Sequence, residues 1–323
     1  MRPFVKPTIV VSKCLEFEAC RYNGQKVPDG FISKLMPHVN FIPVCPEVEI
    51  GLGTPRETIR IVQDGERNRL IQPKSGLDVT EEMQDFARNF AASLENVDGF
   101  ILKNRSPSCG IKDVKVYSAS DTPAVLHKGS GLFAAEVLKR YEYAAAEDEG
   151  RLKNFRIREH FLTKLYAGSA FREVKAQQSL KALVQFQSDN KYLFMAYNQK
   201  ELKVLGGIVA NHERKPVGEV LAQYESHLAK LFARVPRYTS HINVMMHIMG
   251  YFSDQLSKRE RDHFLALLEK YRDGKLPLSS PLSVLRSWVV RFDQEYLLRQ
   301  TYFEPYPDDL VEITDSGKGR GGE

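Results

Sequence analysis

The chain has 323 residues, of which 42% are hydrophobic and 27% charged, with a formal net charge of +5. This length accommodates two domains, the balance is that of a globular protein, and so small a basic excess permits an anionic partner without demanding one. No apolar run approaches the roughly 18 residues of a membrane span, and the opening Met1-Arg2-Pro3-Phe4-Val5-Lys6 has no apolar signal core, so a cytoplasmic protein with no membrane partner is expected.

The first half alternates short strand and helix patterns. A buried strand is expected over 8–12 and a second over 41–44. Residues 58–62 and 69–72 flank Asp64-Gly65 and read as a hairpin. A helix is expected over about 80–94, with Met83, Phe86, Ala87 and Phe90 at helical spacing; Asp78 is placed to cap it, with Glu81 completing a capping box. A strand at 100–102, a further one at 114–117 and a helix at 132–141 follow. Such alternation predicts a Rossmann-like, mostly parallel α/β sheet with helices on its faces. The polar stretch 144–150 reads as a linker, giving an α/β domain over 1–145.

Beyond it the period is helical. Helices are expected over 156–165, 171–187, 191–205, 217–233, 242–256, 260–271 and 282–296, punctuated by Pro216, Pro236, Gly274, Pro277, Pro305 and Pro307. An all-α domain over 146–311 and a disordered tail over 312–323 are the resulting expectations. Most of the histidines fall here, but none forms the i, i+4 pair of a helical zinc site. Met245, Met246 and Met249 read as a core stripe.

All four cysteines, Cys14, Cys20, Cys45 and Cys109, lie in the first third. In a reducing compartment they are expected as thiols, which turns attention from disulfides to metal or catalytic roles. Cys14, Cys45 and Cys109 each follow a predicted strand, and ligands of open α/β sheets bind where strands end at their carboxyl edge. Thiolates suit zinc or an iron–sulfur cluster. The simplest arrangement has these three as ligands, with Cys20 nearby but optional; the alternative is a set of ordinary buried thiols. Glu47, two residues after Cys45, could hold or activate a water as general base. Ser106 and Ser108 bring hydroxyls beside Cys109, and Arg21, Arg56, Lys103 and Arg105 lie near the same strand ends, where they could neutralise an anionic cluster or orient a polar substrate.

Four blocks then occur in order: Val10-Val11-Ser12-Lys13-Cys14; Cys20-Arg21-Tyr22-Asn23-Gly24; Val44-Cys45-Pro46-Glu47-Val48 with Gly51-Leu52-Gly53-Thr54-Pro55-Arg56; and Leu102-Lys103-Asn104-Arg105-Ser106-Pro107-Ser108-Cys109-Gly110. Together they resemble the thiouracil desulfidase-like family, domain of unknown function 523, over about residues 6–140. The helical half resembles the YbgA-type domain often fused to it, domain of unknown function 1722. The chain departs from the family at Cys14-Leu15-Glu16-Phe17, where a Gly usually stands in place of Phe17.

The resemblance implies a 4Fe–4S cluster on three cysteines and non-redox removal of sulfur from a thiolated pyrimidine, as a free nucleobase, a nucleoside or part of an RNA. It implies that the substrate sulfur meets an open iron and that Glu47 activates the attacking water. Ser106 or Ser108 would bond substrate or water. Other readings stand beside it: a non-catalytic iron–sulfur or zinc protein that binds or senses, with the helical half as interaction module; a sulfur enzyme acting on thiolated RNA, with the helical half as RNA-binding module; and a sulfur-transfer enzyme with Cys20 as persulfide carrier.

Overall fold

The computed structural model describes residues 3–311 except residue 121; the tail expected over 312–323 lies outside the described residues. The chain forms two compact units. One comprises the described residues up to Ala170 together with those from Asp309; the other is Phe171–Asp308.

The first unit begins with β1 (Thr8–Ser12), α1 (Gly30–Leu35), β2 (Asn40–Val44) and the single turn α2 (Pro46–Glu49). The antiparallel pair β3 (Arg60–Asp64) and β4 (Arg67–Ile71) comes next, then α3 (Thr80–Ser93), β5 (Gly99–Leu102), β6 (Val114–Ser118), β7 (Val125–Gly129), α4 (Leu132–Arg140) and β8 (Ala145–Asp148). The main sheet has the order β2-β1-β5-β8 and is parallel throughout. A second, mixed sheet has the order β4-β3-β6-β7.

The fold is thus the expected parallel α/β sheet with helices, followed by a helical region. The main strands read as unbroken apolar runs because both faces are covered: Ile9, Val10, Val11, Phe100, Ile101 and Leu102 have no exposed surface. On one face the core includes Met83, Ala87 and Ala91 of α3 and Phe133, Ala134 and Val137 of α4, with Phe86, Phe90 and Phe133 in ring contact. Gly99 lets the backbones approach; a Cβ there would lie 2.8 Å from Leu165 Cδ1 and 3.0 Å from the Ala145 carbonyl.

Two expectations are corrected, and one strand was missed. The segment 144–150 is not a linker: its apolar Ala145 and Ala146 form the start of edge strand β8, paired with Gly99 and Phe100. Its charged residues had hidden a strand only four residues long. Strand β7, with mostly exposed side chains, was not expected: its only large apolar residues are the adjacent Val125 and Leu126, which show no period. The capping box at α3 is absent: the N-cap is Val79, and Asp78 accepts from the Thr80 N–H at 3.0 Å while also pairing with Arg69.

The second unit contains the end of α5 (Phe155–Gln177) and helices α6 (Leu180–Asp189), α7 (Lys191–Tyr197), α8 (Gln199–Ala210), α9 (Val217–Leu231), α10 (Tyr238–Met249), α11 (Lys258–Arg272), α12 (Ser279–Arg291) and α13 (Glu295–Leu298). Periodicity read through joints too tight to disturb it. The expected helix 171–187 breaks at Gln178, which has φ 47°, with Ser179 capping α6. The expected helix 191–205 breaks at Asn198, whose Oδ1 accepts from the N–H groups of Lys200 and Glu201. Met245 is core, but Met246 is 39% exposed and leaves the expected stripe. Among the described residues no helix is long and apolar enough to cross a membrane.

Candidate functional site

Cys14, Cys45 and Cys109 follow β1, β2 and β5, the three adjacent strands at one end of the parallel sheet, and all four cysteines line a single cleft of about 710 Å³. The chain crosses from β1 to β2 on one side and reaches β5 on the other, so the cleft sits where the strand order reverses, the usual ligand position of such sheets. All four are free thiols and all are buried.

Local structure explains the placement. Cys14 lies in a loop closed by its carbonyl, which accepts from Val27 N–H at 2.8 Å. Glu16 takes the left-handed φ of 68°, so the strain of this loop falls on Glu16 and not on Phe17, where the family carries Gly. The Glu16 carboxylate accepts from the Asp29 N–H and faces Lys26, while Phe17 packs edge-on against Phe41 at 5.3 Å. Cys45 is the N-cap of α2, with Pro46 at the first helical position.

The turn carrying Cys109 is built on a serine. The Ser106 hydroxyl oxygen accepts from the N–H groups of Ser108 at 3.2 Å and Cys109 at 3.1 Å. Its outer carbonyls accept from the start of α4: Leu132 N–H to Pro107 O at 3.1 Å and Ala134 N–H to Ser108 O at 3.0 Å. Gly131 permits this approach, since a Cβ there would meet the Ser108 carbonyl oxygen at 2.4 Å.

Cys20 is the most buried of the four, at 1% exposure, and its thiol is hydrogen-bonded to both Cys14 and Cys45. It is pushed up to about 11, first by the bond to Cys14, with the bond to Cys45 acting the other way. Cys45 is also raised, chiefly by Cys20 and then by burial. Burial raises Cys109, against hydrogen bonds from Ser12 and Ser106. These are neutral thiols; a bound metal inverts that preference, because coordinating thiols give up their protons. Among the described residues no three Cys, His, Asp or Glu side chains converge as ligands of one metal ion.

Glu47 lines the same cleft, near Cys45 and Cys109. The Arg56 guanidinium holds its Oε2, through Nε at 2.8 Å and Nη2 at 2.7 Å. Its Oε1 accepts from the hydroxyls of Ser108 at 3.0 Å and Ser106 at 3.4 Å. The structure brings Glu47, Ser106 and Ser108 into direct contact, where the sequence had set the two serines toward substrate or water.

Arg56, expected to neutralise a cluster or orient a substrate, lines the cleft with its guanidinium turned to Glu47. Its side chain is 4% exposed, and its remaining donors go to the carbonyls of Cys20 and Gly53, both at 2.9 Å, and toward Cys45 Sγ at 3.9 Å. Arg21 lines the cleft with its guanidinium over Tyr22 at 5.4 Å. Lys103 lines it too, bonded through Nζ to Glu149 and to Asn104 Oδ1. Sequence reasoning missed Ser12, whose hydroxyl accepts from Lys103 N–H at 2.8 Å and bonds Cys109, and it missed Glu149. Position at a strand's carboxyl end was the only signal either offered.

The cleft lining is rich in cations: Lys or Arg occupies eight positions, of which Lys13, Arg56, Lys103 and Lys128 are paired with Glu18, Glu47, Glu149 and Asp113. Arg60, Lys115, Tyr117 and Lys128 of the second sheet form part of this lining.

Residues 9–149 match a family model described as 2-thiouracil desulfurase, and residues 191–307 match one described as a protein of unknown function, DUF1722. The uncharacterized protein YbbK of Bacillus subtilis is 39% identical over 109 residues, 32% of this chain and 72% of YbbK. The chain belongs to the 2-thiouracil desulfurase family. Its helical region is of the YbgA type: the uncharacterized protein YbgA of Escherichia coli is 31% identical over 137 residues, 42% of this chain and 80% of YbgA. A solved structure of a [4Fe-4S]-dependent thiouracil desulfidase, TudS, is 29% identical, with 46% of this chain and 93% of that one covered and a TM-score of 0.36. Family membership makes the first unit desulfidase-like.

Proposed function

We propose that this chain is a non-redox desulfidase acting on a thiolated pyrimidine, with a 4Fe–4S cluster held by Cys14, Cys45 and Cys109. The observation that carries this reading is the carboxylate of Glu47, fixed at both oxygens by Arg56, Ser106 and Ser108 inside a cleft lined by thiols. The residues present fit such a group. The donors are all soft sulfurs, which favour iron–sulfur or zinc. They come from separate strand ends and line one cleft. The cationic lining suits an anionic cluster.

When bound on three thiolates, the cluster supplies an iron with an open position, a Lewis acid toward a thiocarbonyl sulfur. The chain's own residues do the rest. Glu47 takes a proton from water as that water attacks the ring carbon, so that carbonyl replaces thiocarbonyl and sulfide leaves. Arg56 keeps the Glu47 carboxylate in one orientation, a positioning role in place of the substrate contact expected from the sequence. Ser106 and Ser108 direct their hydroxyls at Oε1, where they hold the water's acceptor in register. Arg21 and Lys103 bind the polar edge of the substrate.

The cleft is much larger than a free pyrimidine needs, and its cationic rim favours a substrate carrying phosphate, such as a nucleotide or a thiolated base in RNA. Anaerobic reconstitution should give a brown protein that releases sulfide from thiolated bases or nucleosides without an electron donor. A colourless zinc-loaded protein would sink the reading, and an absolute need for a reductant would favour sulfur transfer instead.

A further inference from the structure

Lys103 stands at the carboxyl end of β5, where the cleft begins, and its ammonium is not left to find its own position. Glu149, at the end of the neighbouring strand β8, is 7% exposed and does not line the cleft. Both of its oxygens point back toward the cleft wall: Oε1 accepts from Lys103 Nζ, and Oε2 accepts from Asn104 N–H at 2.8 Å. A carboxylate so buried costs several kcal/mol in lost hydration unless it is paired and hydrogen-bonded, as here.

The surrounding backbone is built to bring this carboxylate in. The strands are in register, Leu102 opposite Asp148, so the residues just past them meet. On its other side, Lys103 N–H donates to Ser12 Oγ, the hydroxyl that also bonds Cys109. Lys103 is therefore clamped at the backbone from β1 and at the ammonium from β8. An ammonium has three donors; Glu149 and Asn104 Oδ1 use two, which leaves one for a ligand in the cleft.

We infer that Glu149 is a positioning residue of this site: it presents the Lys103 ammonium, pre-oriented, to an oxygen or anionic group of the thiolated substrate. The inference rests on the desulfidase reading above. Without the carboxylate, the flexible lysine must be ordered at each binding event, and affinity falls while the chemistry at Glu47 is untouched.

The test is a double-mutant cycle in the full-length, cluster-loaded chain, with sulfide release from 2-thiouracil, a thiolated nucleoside, its 5′-monophosphate or a thiolated RNA as the assay and a thermal melt of every variant. Glu149→Gln should raise KM roughly tenfold with kcat changed by less than about twofold. Lys103→Met should raise KM at least as much. In the Lys103→Met background, Glu149→Gln should then add nothing to KM, because its effect passes through the missing ammonium. Glu149→Asp, which keeps the charge but draws it back, should fall between wild type and Glu149→Gln.

Additive effects on KM would overturn the inference, as would a fall in kcat alone. Loss of soluble protein in both Glu149→Gln and Glu149→Asp would overturn it too, by showing that the carboxylate holds the fold and not the ammonium. No sulfide release by the unaltered chain refutes the desulfidase reading and takes this inference with it; release with additive variants refutes this inference alone.

Discussion

Replacing Arg56 by Met removes the only cation paired with Glu47 among the described residues. The Arg56 side chain is 4% exposed and that of Glu47 12%, so the pair is largely out of water. Removing one member of a buried ion pair leaves the other charge uncompensated, at about 3–5 kcal/mol. The carbonyls of Cys20 and Gly53 also lose their 2.9 Å donors, although part of that loss is recovered by water at the cleft. For a unit of this size each kcal/mol moves the melting midpoint by roughly 2–4 °C, so Arg56→Met should melt about 6–20 °C lower.

The partner change Glu47→Gln removes the stranded charge, and the double variant Glu47→Gln/Arg56→Met should recover more than half of the loss. Differential scanning calorimetry of the four proteins at neutral pH gives the cycle. Arg56→Met melting within about 2 °C of the unaltered chain would refute the argument, because an arginine free to bind substrate could be removed without stranding anything. A double variant no more stable than the single would refute it as well.

Other outcomes follow from the same geometry. Ser108→Ala removes the 3.0 Å bond to Glu47 from a fully buried position, and steady-state kinetics should show kcat/KM down about 10- to 100-fold with cluster content unchanged. Cys20→Ser should keep the visible absorbance of the cluster, whereas Cys109→Ser should lose it; the reverse pattern would show the ligand assignment to be wrong. Lys164, within α5, is lowered by burial from 10.5 to about 8, with no carboxylate among the described residues paired to it. The unfolded chain holds that proton up to about pH 10.4 while the folded one releases it from about 8, so this site's penalty is complete below pH 8 and fades as pH rises to 10.4. Lys164→Met should therefore raise stability at pH 7 by up to about 3 kcal/mol in a urea titration, with the gain disappearing above pH 10.

Much of this was legible in the chain itself. Strands buried on both faces are runs of apolar residues, so 8–12, 41–44 and 100–102 could be read directly, and with them the three cysteines at their ends. The motif residues Glu47, Ser106 and Ser108 were legible for the same reason: each lies within a few residues of a strand end, and local chemistry keeps it there. Strands β7 and β8 were not, because an exposed strand and a four-residue edge strand carry no apolar period to detect. The joints at Gln178-Ser179 and Asn198 were invisible because breaks of one or two residues leave the apolar spacing on either side intact.

What sequence could not decide is which side chain meets which. That Arg56 belongs to Glu47, that Cys20 bridges Cys14 and Cys45, and that Glu149 reaches Lys103 across 46 residues are consequences of strand order and register. Residue type fixes what a group can bond. Only the packing of β2, β1, β5 and β8 side by side, driven by burial of their apolar faces, determines which partners are within reach, because hydrogen bonds and ion pairs act over a few ångströms while the sequence separations are tens of residues.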